Sequence, residues 1–266
     1  MASYLGQNFL TSKAKIKEIV AGLDLGKGDV VVEIGPGHGE LTEEILKTKN
    51  VKLIAIEKDK NLAKDLRDKF QESGGVKIVE GDALRLLSEE TSGLGKYKIV
   101  GNIPYYITGH LLRIIQELDN PPVAAVLTVQ KEVAERICAK PPRMNLLAAG
   151  VRFWSEPAII SRIPKKYFKP IPKVDSAAVK IKTKEPEKGI EPENYYSFIK
   201  ILFKQPRKTI LNNLAYGVKK NISGQTAKKE ITDRLNNLKI NPDHRPQNLD
   251  FESVLMMFES FRGIIG

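Results

Sequence analysis

Asn102-Ile103-Pro104-Tyr105 places a side-chain amide, a proline and a phenol within four residues. An amide oxygen together with a backbone carbonyl released by the turn around Pro104 makes a pair of acceptors for the two N–H groups of an aromatic amine such as that of adenine. That amine is a poor nucleophile, because its lone pair is delocalised into the ring. Holding both hydrogens favours a pyramidal nitrogen and aims the lone pair at an electrophilic carbon. Tyr105 offers a face on which an extruded base can stack. The nitrogen becomes acidic once alkylated, so the chemistry needs neither a strong base nor a catalytic histidine. The competing reading is an ordinary proline loop closing a strand, with Tyr105 and Tyr106 as core aromatics.

An electrophile is suggested upstream. Val30-Val31-Val32-Glu33-Ile34 runs into Gly35-Pro36-Gly37-His38-Gly39-Glu40, the strand, glycine turn and helix of a nucleotide-binding crevice. The spacing is G-x-G-x-G, and the position where a dinucleotide site has its third glycine is Glu40, with Glu43 and Glu44 close behind. Carboxylates at a helix N-terminus would repel a pyrophosphate. S-adenosylmethionine has no phosphate and carries a cationic sulfonium, so the acidic turn favours it over a dinucleotide. Glu57, ending the next strand-like run, is placed to accept from two ribose hydroxyls. Asp82, after the third, could accept from the cofactor's adenine amine; helix capping is its alternative role.

These residues need a scaffold that brings strand ends together. Residues 29–34, 52–57, 76–80, 98–101 and 123–129 read as buried strands, with helical patterns at 40–47, 59–72, 109–118 and 131–139. The alternation predicts a doubly wound, Rossmann-like α/β sheet. Two more strands are expected, one near 147–154 and one at 177–182 closing the sheet edge. A charged, proline-containing stretch at 184–193 suits a linker. Helical periodicities at 195–203, 207–216, 227–238 and 251–261 predict a small all-helical C-terminal domain. The expected boundary lies near Pro186, giving a catalytic domain over 1–185 and a helical RNA-binding domain over 186–266.

The 266 residues carry a formal net charge of +11, which favours a polyanionic partner. Between Glu193 and Glu230 lie eight Lys or Arg and no acid, Arg207 and Lys208 among them. Lys165, Lys166, Lys169 and Lys173 flank Phe168, close enough in sequence to engage phosphates around a base pocket. The lone Cys138 can form no intramolecular disulfide and has no cysteine neighbours for zinc, so no metal is expected. With no apolar run of about 18 residues and no signal-peptide pattern, the expectation is a monomeric cytoplasmic protein with no membrane segment.

Gly6-Gln7-Asn8-Phe9-Leu10, Glu33-Ile34-Gly35-Pro36-Gly37, Asn102-Ile103-Pro104-Tyr105 and Tyr167-Phe168-Lys169-Pro170-Ile171-Pro172-Lys173-Val174-Asp175-Ser176 occur in order. Together they resemble the signatures of the KsgA-type ribosomal RNA adenine dimethyltransferases, whose relatives include the erythromycin-resistance (Erm) methylases. The resemblance implies a class I methyltransferase fold, S-adenosylmethionine contacts from Asn8, Leu10, Gly35, Glu57, Asp82 and Asn102, and a target adenine held at Pro104 between Tyr105 and Phe168. It further implies dimethylation of the N6 amines of two adjacent adenosines in a hairpin loop near the 3′ end of 16S rRNA, in the small ribosomal subunit. Residues 203–213 and 245–251 resemble the C-terminal signatures of the KsgA type. Ile103, common in Erm enzymes, and the absence of a Tyr-Gly-x-Leu-Ser stretch at 141–150 keep Erm-like 23S rRNA methylation as an alternative. A non-catalytic RNA-binding assembly or transcription factor with the same fold is another.

Overall fold

The computed structural model describes residues 8–185, 187, 189–217 and 224–264. Gly6 and Gln7 of the N-terminal signature, Pro186 at the expected boundary, and Lys219 and Lys220 of the basic segment lie outside the described residues. The chain divides into two compact units, one of residues 1–135 and 155–183, the other of 136–154 and 184–266.

The first unit opens with β1 (Phe9–Leu10) and α1 (Lys13–Ala21). It continues through β2 (Val30–Ile34), α2 (Glu40–Ile45), β3 (Lys52–Glu57), α3 (Lys60–Phe70), β4 (Val76–Glu80), α4 (Ala83–Thr91), β5 (Tyr97–Asn102), α5 (Thr108–Glu117) and β6 (Ala124–Gln130). After α6 (Lys131–Ile137) and α7 (Leu146–Trp154) come β7 (Ser155–Ile163), β8 (Phe168–Lys169) and β9 (Ser176–Thr183). Seven strands form one sheet in the order β4-β3-β2-β5-β6-β9-β7. The first five are mutually parallel, and β9 pairs antiparallel with both β6 and β7. The chain steps outward from β2 to β4, then returns past β2 to β5 and β6. Right-handed crossovers in opposite directions put helices on both faces. On one face α1 and α2 bury Ile16, Ile19, Leu41 and Ile45 against Val31, Leu53, Val100 and Val126.

Two expected elements differ from the structure. Residues 147–154 form helix α7, not a strand; Arg152 is the one charged residue in this short apolar run, and a run of that length suits a buried strand as well as a helix. The 177–182 strand does not close the sheet. β9 lies inside it, and β7 takes the edge, where Pro157 and a register shift between Ile159 and Ser161 are tolerated. The expected contiguous division at 185/186 also differs from the observed units, because residues 136–154 group with the C-terminal part.

The second unit packs α7 with α8 (Pro192–Leu202), α9 (Ile210–Gly217), α10 (Gly224–Asn237) and α11 (Phe251–Ser260). Its core contains Phe153, Tyr195, Phe198, Leu202, Leu214, Ile231, Leu235, Met257 and Phe258. Tyr195 is fully buried, stacks on Phe153 with ring centroids 4.3 Å apart, and donates its hydroxyl to the Ala149 carbonyl at 3.1 Å. Tyr195→Phe, which removes that bond while the helical N–H of Phe153 remains in place to serve the carbonyl, should cost about 0.5–1.5 kcal/mol. Tyr195→Ala should cost about 3–5 kcal/mol through the cavity. Urea unfolding followed by circular dichroism measures both, and an unchanged Tyr195→Phe curve would assign the hydroxyl no net role.

Candidate active site

The crevice lies where the strand order reverses. β2 pairs with β5 in the register Ile34↔Gly101, so the residues that follow, Gly35 and Asn102, emerge side by side at the carboxyl edge. A cleft there is lined by Asn8, Phe9, Gly35, Gly37, Asn102, Ile103, Pro104, Tyr105 and Phe168. Gly35 and Gly37 have φ of +64° and +63°, a region that side-chain-bearing residues avoid. A Cβ at Gly35 would meet nothing within 4 Å, whereas one at Gly37 would come within 2.9 Å of the Phe9 ring. The first glycine thus leaves backbone open for close approach, and the second makes room for a cleft wall.

Asn102 donates from its side-chain nitrogen to the Asn8 carbonyl at 2.7 Å. That bond fixes the amide and leaves its oxygen as the end that accepts. The Ile103 N–H is held by the Thr128 carbonyl on β6 at 3.0 Å, and the Pro104 carbonyl accepts from Ile107 at 3.1 Å within a short 3-10 turn over Tyr105–Ile107. The Pro104 carbonyl is therefore already engaged by one donor, and a second would share it. Tyr105, half-buried, pairs its hydroxyl with Ser176 Oγ at 3.1 Å, which orients the ring.

Phe168 also lines the cleft, but it is only 1% exposed and belongs to the core cluster around α1. Its pairing explains this: β1 and β8 form a two-stranded antiparallel ladder with Phe9↔Lys169 and Leu10↔Phe168. Leu10 is likewise buried, so it shapes the cleft from behind. Lys165, Lys166, Lys169 and Lys173 are all exposed around this ladder, as is Ile171. Arg207 and Lys208 belong to the other unit, where both are exposed.

Glu57 sits beneath the glycine turn, 1% exposed. One carboxylate oxygen accepts from the Gly37 N–H at 3.0 Å and the other from the Asp59 N–H at 2.9 Å. Burial pushes its carboxyl above the ordinary range, and these N–H groups counter that only in part. Each oxygen keeps a lone pair for a further donor. Asp82 caps α4 through the Leu84 N–H at 3.0 Å and binds Lys58 Nζ at 2.9 Å. Partial burial alone would push its carboxyl up, but the Lys58 ammonium and the Leu84 amide outweigh that and hold it below its usual value. Its capping role is thus present in the fold.

Sequence reasoning did not single out Phe9, whose ring lies 4.4 Å from that of His38, or Lys58; Phe9 stands inside a recognised signature, and Lys58 gave no signal of its own. It also gave Glu33 no role. Glu33 is fully buried, accepts from Thr42 Oγ1 at 2.6 Å, and has no partner for its other oxygen, Oε1, among the described residues. Burial pushes its carboxyl up to about 7, with Glu40 and Glu57 adding repulsion against the Thr42 bond.

The family model described as "Ribosomal RNA adenine dimethylase" matches residues 2–261. The chain belongs to the ribosomal RNA adenine dimethylase family. Within the family, it is 39% identical over 251 residues to a protein named ribosomal RNA small subunit methyltransferase A from Dehalococcoides mccartyi (strain CBDB1), covering 93% of this chain and 84% of the relative. A relative of the same name from Mycoplasma mycoides subsp. mycoides SC is 34% identical over 262 residues, covering 96% and 95%. Among solved structures, a dimethyladenosine transferase from Plasmodium falciparum aligns with a TM-score of 0.80 at 26% identity, covering 97% of this chain and 99% of that one. The 23S rRNA methyltransferase ErmE shares the fold, with a TM-score of 0.76 at 24% identity over 95% and 99% of the two chains. Dimethylases of this family use S-adenosylmethionine as methyl donor. The open Gly35 backbone and the acidic surroundings of the turn fit a cationic, phosphate-free cofactor.

Glu33 supplies a pH test of this crevice. A carboxyl whose folded value is raised from the ordinary 4.5 to about 7 stays protonated in the fold, so its stability contribution is present at low pH and is lost as pH rises from about 4.5 through 7. Glu33→Gln keeps the shape and cannot ionise. It should gain about 2 kcal/mol more over the unmodified protein at pH 8 than at pH 5.5. Urea titrations at the two pH values decide it; equal differences would mean that Glu33 carries no proton in the fold.

Proposed function

We propose that this protein transfers methyl groups from S-adenosylmethionine to the N6 amines of two adjacent adenosines in a hairpin loop near the 3′ end of 16S rRNA, producing N6,N6-dimethyladenosines during small-subunit biogenesis. The observation that carries the reading is the placement of Asn102 beside the glycine turn, its nitrogen tied to Asn8 and its oxygen presented as acceptor. Membership of the dimethylase family and the names of relatives at 34–39% identity support the small subunit as substrate.

In this reading Asn8, Leu10, Gly35, Glu57, Asp82 and Asn102 hold the cofactor: Gly35 by close backbone approach, Glu57 through its remaining lone pairs, Leu10 from behind the wall. Asp82 takes part once Lys58 yields or shares it. The cofactor supplies an electrophilic methyl group on sulfur. The Asn102 oxygen and the backbone around Pro104 orient the incoming amine, and Tyr105, steadied by Ser176, gives the base a stacking face. Phe168 forms the wall opposite. Lys165, Lys166, Lys169 and Lys173, together with Arg207 and Lys208 on the other unit, contact phosphates and carry no sequence information. The protein works as a monomer in the cytoplasm and needs no metal. No described helix is long and apolar enough to cross a membrane.

Incubating the protein with purified small or large ribosomal subunits lacking these modifications, followed by mass spectrometry of the RNA, tests the assignment. Two dimethyladenosines in small-subunit RNA are expected, and modification of large-subunit RNA with the small subunit untouched would replace it with the Erm-like activity. Asn102→Ala should lower methyl transfer at least about a hundredfold, the scale of losing one preorganised acceptor, while RNA binding persists. Turnover near the unmodified rate would remove Asn102 from the mechanism.

A further inference from the structure

Asn213, on α9, is 2% exposed and commits its side-chain amide to the loop that precedes the helix. Its oxygen accepts from the Gln205 N–H at 2.9 Å, and its nitrogen reaches the carbonyls of Gln205 at 3.1 Å, Thr209 at 3.0 Å and Lys208 at 3.4 Å. The loop is thereby pinned at both ends from within, while Lys204, Gln205, Pro206, Arg207 and Lys208 all remain exposed. A surface already held in one arrangement loses less entropy on binding than a mobile one.

The same loop engages an aromatic ring. Lys204 Nζ stands 3.8 Å from the centroid of Tyr216, near the C-terminal end of α9, and Tyr216 stays 65% exposed. An isolated exposed aromatic needs no explanation. This one is fixed by a cation over its face and lies in a stretch with eight Lys or Arg and no acid. A ring offering a flat apolar surface, with an ammonium at one face and further exposed cations on the loop that carries it, is the combination that holds single-stranded nucleic acid. The ring stacks on a base, and the cations follow the backbone.

We propose that Tyr216 is a stacking platform for an unpaired base of the substrate RNA, and that the loop clamped by Asn213 sets Lys204, Arg207 and Lys208 on the flanking phosphates. The site selects for unpaired structure, because a base inside a duplex has no free face to give the ring. It lies within the second unit and rests on the reading that RNA is the substrate.

The test uses the full chain and two fluorescently labelled RNAs of equal charge, a hairpin with an unpaired purine-containing loop and a duplex with no unpaired base. Binding is followed by anisotropy across a salt series. Tyr216→Ala should weaken hairpin binding about tenfold, leave duplex binding within about twofold, and leave the slope of log affinity against log salt unchanged. Tyr216→Phe should bind like the unmodified protein; if the alanine variant folds poorly, Tyr216→Leu replaces it, with the same loss expected. Unchanged hairpin binding, or an equal loss on both RNAs, would overturn the platform. Methylation of small-subunit RNA by the unmodified protein is measured alongside: its absence defeats the functional reading, whereas its presence with undiminished hairpin binding by the variant defeats only the role of Tyr216.

Discussion

The cleft depends on the pairing of β2 with β5. Five parallel strands buried on both faces give a sheet whose register is set by apolar packing, and a slip of one residue would turn every buried side chain to the wrong face. With Ile34 opposite Gly101, the glycine turn and Asn102 leave the sheet together. The next pairing, Asn102↔Thr128, continues the constraint, since the Thr128 carbonyl holds the Ile103 amide and so sets the direction in which Pro104 and Tyr105 depart. No local property of Asn-Ile-Pro-Tyr could do this.

Electrostatics complements that geometry. Around the turn, Glu33, Glu40 and Glu57 gather carboxyl groups where a phosphate-binding crevice would have none, and the fold limits the charge by pushing Glu33 up to about 7 and giving Glu57 two backbone donors. Elsewhere the sign reverses. Lys165, Lys166, Lys169 and Lys173 stand exposed near the ladder that carries Phe168, and the second unit's basic loop stands exposed in its own right. One protein thus presents an acidic crevice suited to a cationic cofactor and basic surfaces suited to a polyanion.

Much of this was legible from residues alone, for identifiable reasons. The five parallel strands are short apolar runs rich in Val and Ile, and their expected limits lie within a residue or so of the observed ones. The turn, Asn102 and Tyr105 were legible because strand ends in such sheets converge by topology. Residues 147–154 read as a strand because a short apolar run with one charged residue suits either element, and β7 gives no clear strand signal because Pro157 and a bulge interrupt its alternation. Helix α4 has no counterpart among the expected elements, although Asp82 at its start has the side chain of a helix cap. The burial of Phe168 and the ion pair of Asp82 with Lys58 are contacts between distant segments, and no local pattern encodes them.

The β1–β8 ladder joins Phe9 and Leu10 to Phe168 and Lys169, with the Thr11 N–H donating to the Tyr167 carbonyl at 2.8 Å. During synthesis, the N-terminal wall of the cleft must therefore wait for some hundred and sixty later residues, including all of α7, before it has anything to pair with. Asn8, whose carbonyl orients Asn102, is positioned next to that ladder. The parallel sheet can form as the chain emerges, but the acceptor geometry is completed only when the returning segment closes the loop. A ribosome carrying a partial chain would thus display a crevice whose reactive edge is not yet set, which ties competence for chemistry to completion of the domain.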